Sequence, residues 1–206
     1  MIAMPSCAPK PAARQSGFTV IELMITVLIA AVLVGIALPS FRATIINSNV
    51  TQLTNALVHD LNIARSEAVR RGTLVAVISN SGGNDWSSGW YVETDGKFLA
   101  DGTFTPPPVP GTDADVVLNT HPAVPTGGYQ VVTGVTAVGG GPGIAPSVGR
   151  IIFNAQGNLI PLAQSHDINI CRPDHKPTLS KRITVVASGM ISTKTNTTGS
   201  TAPPCT

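Results

Sequence analysis

The chain has 206 residues, 12% of them charged, 43% hydrophobic and 4% aromatic, with a formal net charge of +2. A chain of this length holds one domain plus an appended element. The low charge and apolar content exclude a disordered chain, and the near-neutral balance excludes a bulk electrostatic nucleic-acid binder.

Residues 1–17 carry Lys10 and Arg14 and no acid. They precede Phe18–Pro39, FTVIELMITVLIAAVLVGIALP, an apolar run whose one ionisable side chain is Glu22. As a helix rising about 1.5 Å per residue, this run reaches roughly 30 Å, the thickness of a bilayer's hydrocarbon core. The cations before it predict that the N-terminal end stays in the cytoplasm and the bulk of the chain lies outside. A cleaved secretory signal fits poorly, because the apolar stretch is too long and no small-x-small site follows it. A carboxylate inside a membrane helix costs about 2.5–3.5 kcal/mol, so Glu22 needs a partner.

Pro39 lacks an N–H and clashes with the carbonyl of Gly35, which predicts a kink or loosened turn over 35–39. Beyond it Ile46, Val50, Leu53, Leu57, Leu61, Ala64 and Ala68 recur at steps of three and four, one face of a helix. Glu67 sits four residues before Arg71; Arg70 and Arg71 suit a helix C-terminus, and Gly72 suits the position just past it. The pattern predicts one bent helix over 18–71, greasy all round in its first half and striped in its second. A coiled coil is not supported, since clean heptads are few and paired e/g charges are absent.

From Thr73 the period becomes two and turns multiply. Strands are expected at 73–79, 89–94, 97–100, 115–119, 128–138, 150–154, 158–162, 167–171 and 182–187. Asp95-Gly96 predicts a tight hairpin, and Asn154-Ala155-Gln156-Gly157 a second one. The expected fold is α+β, with the long helix packed on an antiparallel β-sandwich-like head. Eight prolines and ten glycines over 100–149 read as surface loops around one or two exposed strands.

Cys7 precedes the apolar run, whereas Cys171 and Cys205 follow it on the side where disulfides persist. A Cys171–Cys205 bridge is expected, worth about 3–4 kcal/mol by loop closure; the alternative is two unpaired buried thiols. No CxxC, HxxxH, Walker A, GxGxxG, HExxH or GxSxG occurs, so no metal, cofactor or enzymatic activity is expected. His59 beside Asp60 reads as a solvated or head-packing residue. His166 and Asp167, adjacent on a strand, point to opposite faces and form no dyad. Trp86 and Trp90 read as packing residues. Charge is uneven: residues 93–115 carry a local −4, and residues 150–206 a local +4 that includes Arg172, Lys176, Lys181 and Arg182. Such patches steer subunit contacts or grip phosphates.

Gly17-Phe18-Thr19-Val20-Ile21-Glu22-Leu23-Met24 resembles the processing site of type IV prepilins. The resemblance implies that a prepilin peptidase cuts between Gly17 and Phe18 and that Phe18 becomes the N-methylated first residue. Gly17 lets a protease approach the backbone closely, and the freed amine of one subunit can neutralise Glu22 of its neighbour in an apolar core. Pro39 falls where that family also carries a proline. The implied domains are a leader over 1–17, a transmembrane and filament-core half-helix over 18–39, an amphipathic half-helix over 40–72 and a β-rich head over 73–206. Ala64-Arg65-Ser66-Glu67-Ala68, Gly89-Trp90-Tyr91-Val92 and Phe153-Asn154-Ala155-Gln156-Gly157 are similar to signatures of the pseudopilin H/FimT-like family, which implies a type IV pilin fold. The implied function is a minor type IV pilin that primes or caps a pilus, with a type II secretion pseudopilin and a DNA-binding minor pilin for transformation as alternatives. Its implied partners are other pilins or pseudopilins through the helix, the peptidase and the bacterial inner membrane, crossed once with the head in the periplasm. Some FimT-like relatives grip DNA through an arginine-rich GRxR segment. The matching stretch here, Gly189-Met190-Ile191-Ser192, has no arginine, which counts against DNA as a partner.

Overall fold

The computed structural model describes residues 17–94, 116–137, 149–160, 164–176 and 179–196. The chain forms two compact units, divided between Ala43 and Thr44. One helix, α1 (Val20–Arg71), contributes to both. Thr19 caps its start, accepting the Glu22 N–H through Oγ1 at 3.3 Å. Its end follows the expected chemistry. Glu67 takes Arg70 at 2.5 Å and Arg71 at 2.6 Å, and Gly72 closes the last turn at φ 70 with its N–H on the Ala68 carbonyl. The two guanidiniums hold the Glu67 carboxyl down to about 2. The helix runs through 35–39 without a break.

In the second unit, nine strands are described: β1 (Val75–Ser79), β2 (Trp90–Thr94), β3 (Val116–His121), β4 (Gln130–Ala137), β5 (Arg150–Phe153), β6 (Leu159–Ile160), β7 (Gln164–Cys171), β8 (Lys181–Val185) and β9 (Ile191–Thr195). They form two antiparallel sheets, ordered β3-β2-β1-β5-β6 and β4-β7-β8-β9. The expected strand 97–100 and the Asp95-Gly96 hairpin lie outside the described residues. The 154–157 hairpin is present: Asn154 bonds Asn158, and Gly157 takes φ 75. Strand β9 went unforeseen, because Ile191-Ser192-Thr193-Lys194-Thr195 has one apolar residue and gives no alternating signal.

The helical stripe builds the core. Val50, Leu53, Leu57, Leu61, Ala64 and Ala68 are buried, with Ile46 packed at the margin. Facing them are Val75, Val77, Trp90, Val92, Ile151, Phe153 and Leu159 from the first sheet, and Val131, Ile168, Ile170, Ile183 and Val185 from the second. Each large aliphatic side chain taken out of water contributes about 1.5–3 kcal/mol. Strand β1 is buried on both faces: Val75 and Val77 join this core, while Ala76 and Ile78 meet Ile152 on the opposite face. Its unbroken apolar sequence, Val75-Ala76-Val77-Ile78, is what two-faced burial requires.

Candidate assembly site

In the N-terminal unit, every large apolar side chain from Phe18 to Leu38 is exposed, from 51% at Ile25 to 82% at Phe18. They surround the helix instead of forming a stripe, so no single packing face exists. The segment is long and apolar enough to cross a membrane. Glu22 sits in its first turn, where the helix dipole favours a carboxylate; among the described residues no hydrogen bond or ion pair reaches that carboxylate. A side-chain carbon added at Gly17 or Gly35 would meet nothing within 4 Å inside the chain. Neither glycine is therefore required by contacts within this subunit. Pro39 lies within α1.

In the second unit the family-like motifs turn out to touch one another. Asp60 is 98% buried, and its two carboxylate oxygens accept Trp90 Nε1 at 2.7 Å and Asn119 Nδ2 at 2.6 Å. Trp90 stacks on His121, with centroids 4.0 Å apart and planes within 3°. Gly89, ahead of Trp90, has φ 95, and a Cβ there would lie 2.5 Å from the His121 carbonyl oxygen. That position admits only glycine. Arg65 donates through Nε to the Gly157 carbonyl at 3.1 Å, tying the helix to the β5–β6 turn. Gly189, in the β8–β9 turn, approaches so closely that a Cβ would fall 1.8 Å from that same carbonyl oxygen. Reading the sequence missed Asp60, although its place three residues after Leu57 and four before Ala64 puts it on the buried stripe. It sits there because a buried carboxylate with two donors is satisfied.

The cations singled out in the sequence do not form one patch. Arg172 is buried; it makes a bidentate pair with Asp174 at 2.8 Å per contact and also donates to Asn47 on α1. The pair holds the Asp174 carboxyl down to about 2. Lys181 and Arg182 are neighbours on β8 and so point to opposite faces: Lys181 Nζ donates to Thr195 at 3.2 Å, and Arg182 donates twice to Asn196. Lys176 is exposed in the preceding turn. Cys171 is buried and disulfide-bonded; Cys205 lies outside the described residues. His166 is buried at the core face of β7, its Nδ1 without a hydrogen-bond partner among the described residues. Burial pulls its imidazole down to about 4, so it is neutral near pH 7. Asp167, on the opposite face, instead accepts Thr184 at 2.6 Å. Among the described residues no group of three or more His, Cys, Asp or Glu is placed to hold a metal ion.

The type II transport protein GspH family matches residues 53–189, more than half the chain, and the prokaryotic N-terminal methylation motif matches residues 12–38. No curated protein matches. Among solved structures, the type IV minor pilin FimU of Pseudomonas aeruginosa is 21% identical, with a TM-score of 0.48, over 77% of this chain and 93% of that one. The minor pseudopilin EpsH of the Vibrio cholerae type 2 secretion system is 13% identical, with a TM-score of 0.44, over 71% of this chain and 97% of that one. With the family model matched from Leu53 on α1 to residue 189, beyond β8, and the methylation motif matched over residues 12–38, the chain belongs to the type II transport protein GspH family.

Proposed function

We propose that the chain is a minor type IV pilin, a structural subunit that primes or caps a pilus after prepilin peptidase removes residues 1–17. The observation that carries this reading is the half-helix of Phe18 to Leu38, exposed and apolar on every side with one acid in its first turn. Such a segment needs lipid first and other helices later. Cleavage between Gly17 and Phe18 leaves that helix on the mature protein and frees an amine on Phe18, which is then N-methylated. The amine of a neighbouring subunit neutralises Glu22, and an unpaired carboxylate in that setting is costly enough to select one helix register. Gly35 and Pro39 serve this packing between subunits. The head rests in the periplasm, where a Cys171–Cys205 bridge ties the C-terminal tail to the end of β7.

Expression with and without a prepilin peptidase, followed by mass spectrometry of the N-terminus, tests the processing. A methylated Phe18 end is expected; an uncut chain or another end overturns it. Glu22→Ala is expected to abolish incorporation into filaments while leaving the head's melting temperature unchanged, and undiminished incorporation overturns the register role.

A type II secretion pseudopilin is the second reading, favoured by the family match over 53–189. The physics is the same and the machine differs: deletion of the gene would stop protein secretion instead of pilus formation. DNA binding has less support, since the Arg172 guanidinium is occupied by Asp174 and Asn47. Salt-sensitive gel shifts with the full chain in detergent would restore that reading.

A further inference from the structure

On one face, strand β7 begins polar and ends apolar. Gln164, His166, Ile168 and Ile170 sit at every second position, so their side chains share one side of the sheet. Ile168 and Ile170 belong to the core, which makes that side the one turned inward. Strand β4 adds Thr133, which pairs with Ile168 and shares the same face. Val135 pairs with His166, so Thr133 and His166 are diagonal neighbours. Thr133, Gln164 and His166 are 2%, 6% and 2% exposed. Among the described residues, Thr133 Oγ1, Gln164 Oε1 and His166 Nδ1 have no hydrogen-bond partner. Buried polar atoms in native proteins are almost always satisfied, by protein or by ordered water. Three left over at neighbouring positions of one buried face point to a shared partner.

Spacing and chemistry decide what that partner is. Same-face neighbours along a strand lie about 7 Å apart, and diagonal neighbours about 7–8 Å. None of the three atoms bonds another. The partner must donate to Gln164 Oε1, which only accepts, and must also suit a hydroxyl and an imidazole nitrogen. It must be neutral, because among the described residues the cross-strand neighbours on this face, Ile168, Ile183 and Val185, offer no countercharge. It must be small, because the positions lie inside a packed core. Water meets all three demands. We propose that the core face of β7 holds internal water, a short hydrogen-bonded chain running from Thr133 past His166 to Gln164. Gln164, the first residue of β7 and the most exposed of the three, is its outlet. The inward side of the second sheet is then dry around Ile170 and Ile183 and wet toward the start of β7. This site lies within the head and does not depend on the assembly reading above.

The test uses the full chain in detergent micelles at neutral pH. Magnetic relaxation dispersion of the water oxygen reads internal waters that exchange slowly with bulk. The parent is expected to show more of this signal than a variant combining Thr133→Val, Gln164→Leu and His166→Leu. Thr133→Val alone keeps the side chain's shape and deletes the hydroxyl. If that hydroxyl is bonded to water, its loss should lower the head's melting temperature by about 2–4 °C; if it is unpaired, its removal should raise it. Thr133→Val and Gln164→Leu should also cost less together than the sum of each alone, because the water chain couples two side chains that do not touch. Equal dispersion in the parent and the triple variant overturns the proposal, as does a melting temperature that rises or stays put in Thr133→Val. Should the triple variant fail to fold, Thr133→Val gives both readings by itself.

Discussion

The two halves of α1 share a backbone conformation and differ in everything that decides partners. Leu28 is 68% exposed and Leu57 is fully buried, though both are leucines in one helix. Residues 20–38 are apolar at nearly every position and so cannot prefer a side. Residues 46–68 place their buried apolar groups every third or fourth position, with polar residues over most of the rest, and that spacing selects a face for the sheets. Both halves are helical; the period of the pattern decides whether a half packs within its own subunit or waits for something outside it.

The sharpest way to break this contrast is to shorten one leucine in each half. Leu57→Ala removes buried methyls at the centre of the core and should cost about 2–5 kcal/mol in chemical denaturation; Leu28→Ala should leave the head's unfolding midpoint where it was. Acid comes next. His166 is neutral in the folded head, with its imidazole held down to about 4, and titrates near 6.5 once unfolded. The unfolded state thus binds a proton that the folded state refuses, so stability falls as the pH drops from about 6.5 toward 4, by about 3 kcal/mol in all. Unfolding midpoints across that window should follow this slope, and His166→Leu should flatten it. Glu67 and Asp174, whose carboxyls sit near 2, lose their pairing only below that window.

Smaller effects sharpen the contrast further. Asp60→Ala strands the indole N–H of Trp90 and the amide of Asn119, an expected loss of about 1–3 kcal/mol, with Trp90 fluorescence reporting the loosened contact. Glu67→Gln, at the exposed end of the helix, should leave thermal unfolding of the head indistinguishable from the parent. A clear drop there would mean that surface pairs, and not the stripe, hold the helix to the sheets.

Most of this was legible in the residues because it is local. The stripe, the Gly72 stop, the Glu67 pairing and the Asn154–Gly157 turn each follow from a few adjacent positions. What was hidden is non-local. Strand β1 lies between β2 and β5, about 70 residues downstream, and nothing near Val75 announces that neighbour. Strand β9 pairs through its backbone, with side chains too polar to reveal it. Asp60 was overlooked beside His59 because its partners, Trp90 and Asn119, come from distant strands. Arg65 and Gly157 were visible as separate motifs, but only the fold makes them one contact.

The boundary at Thr44 has a practical consequence. A soluble fragment cut at Thr73, where the strands begin, would forfeit Leu57, Leu61 and the rest of the stripe and lay bare the greasy sides of both sheets. It should precipitate, whereas a fragment beginning at Thr44 carries its own lid and should stay in solution.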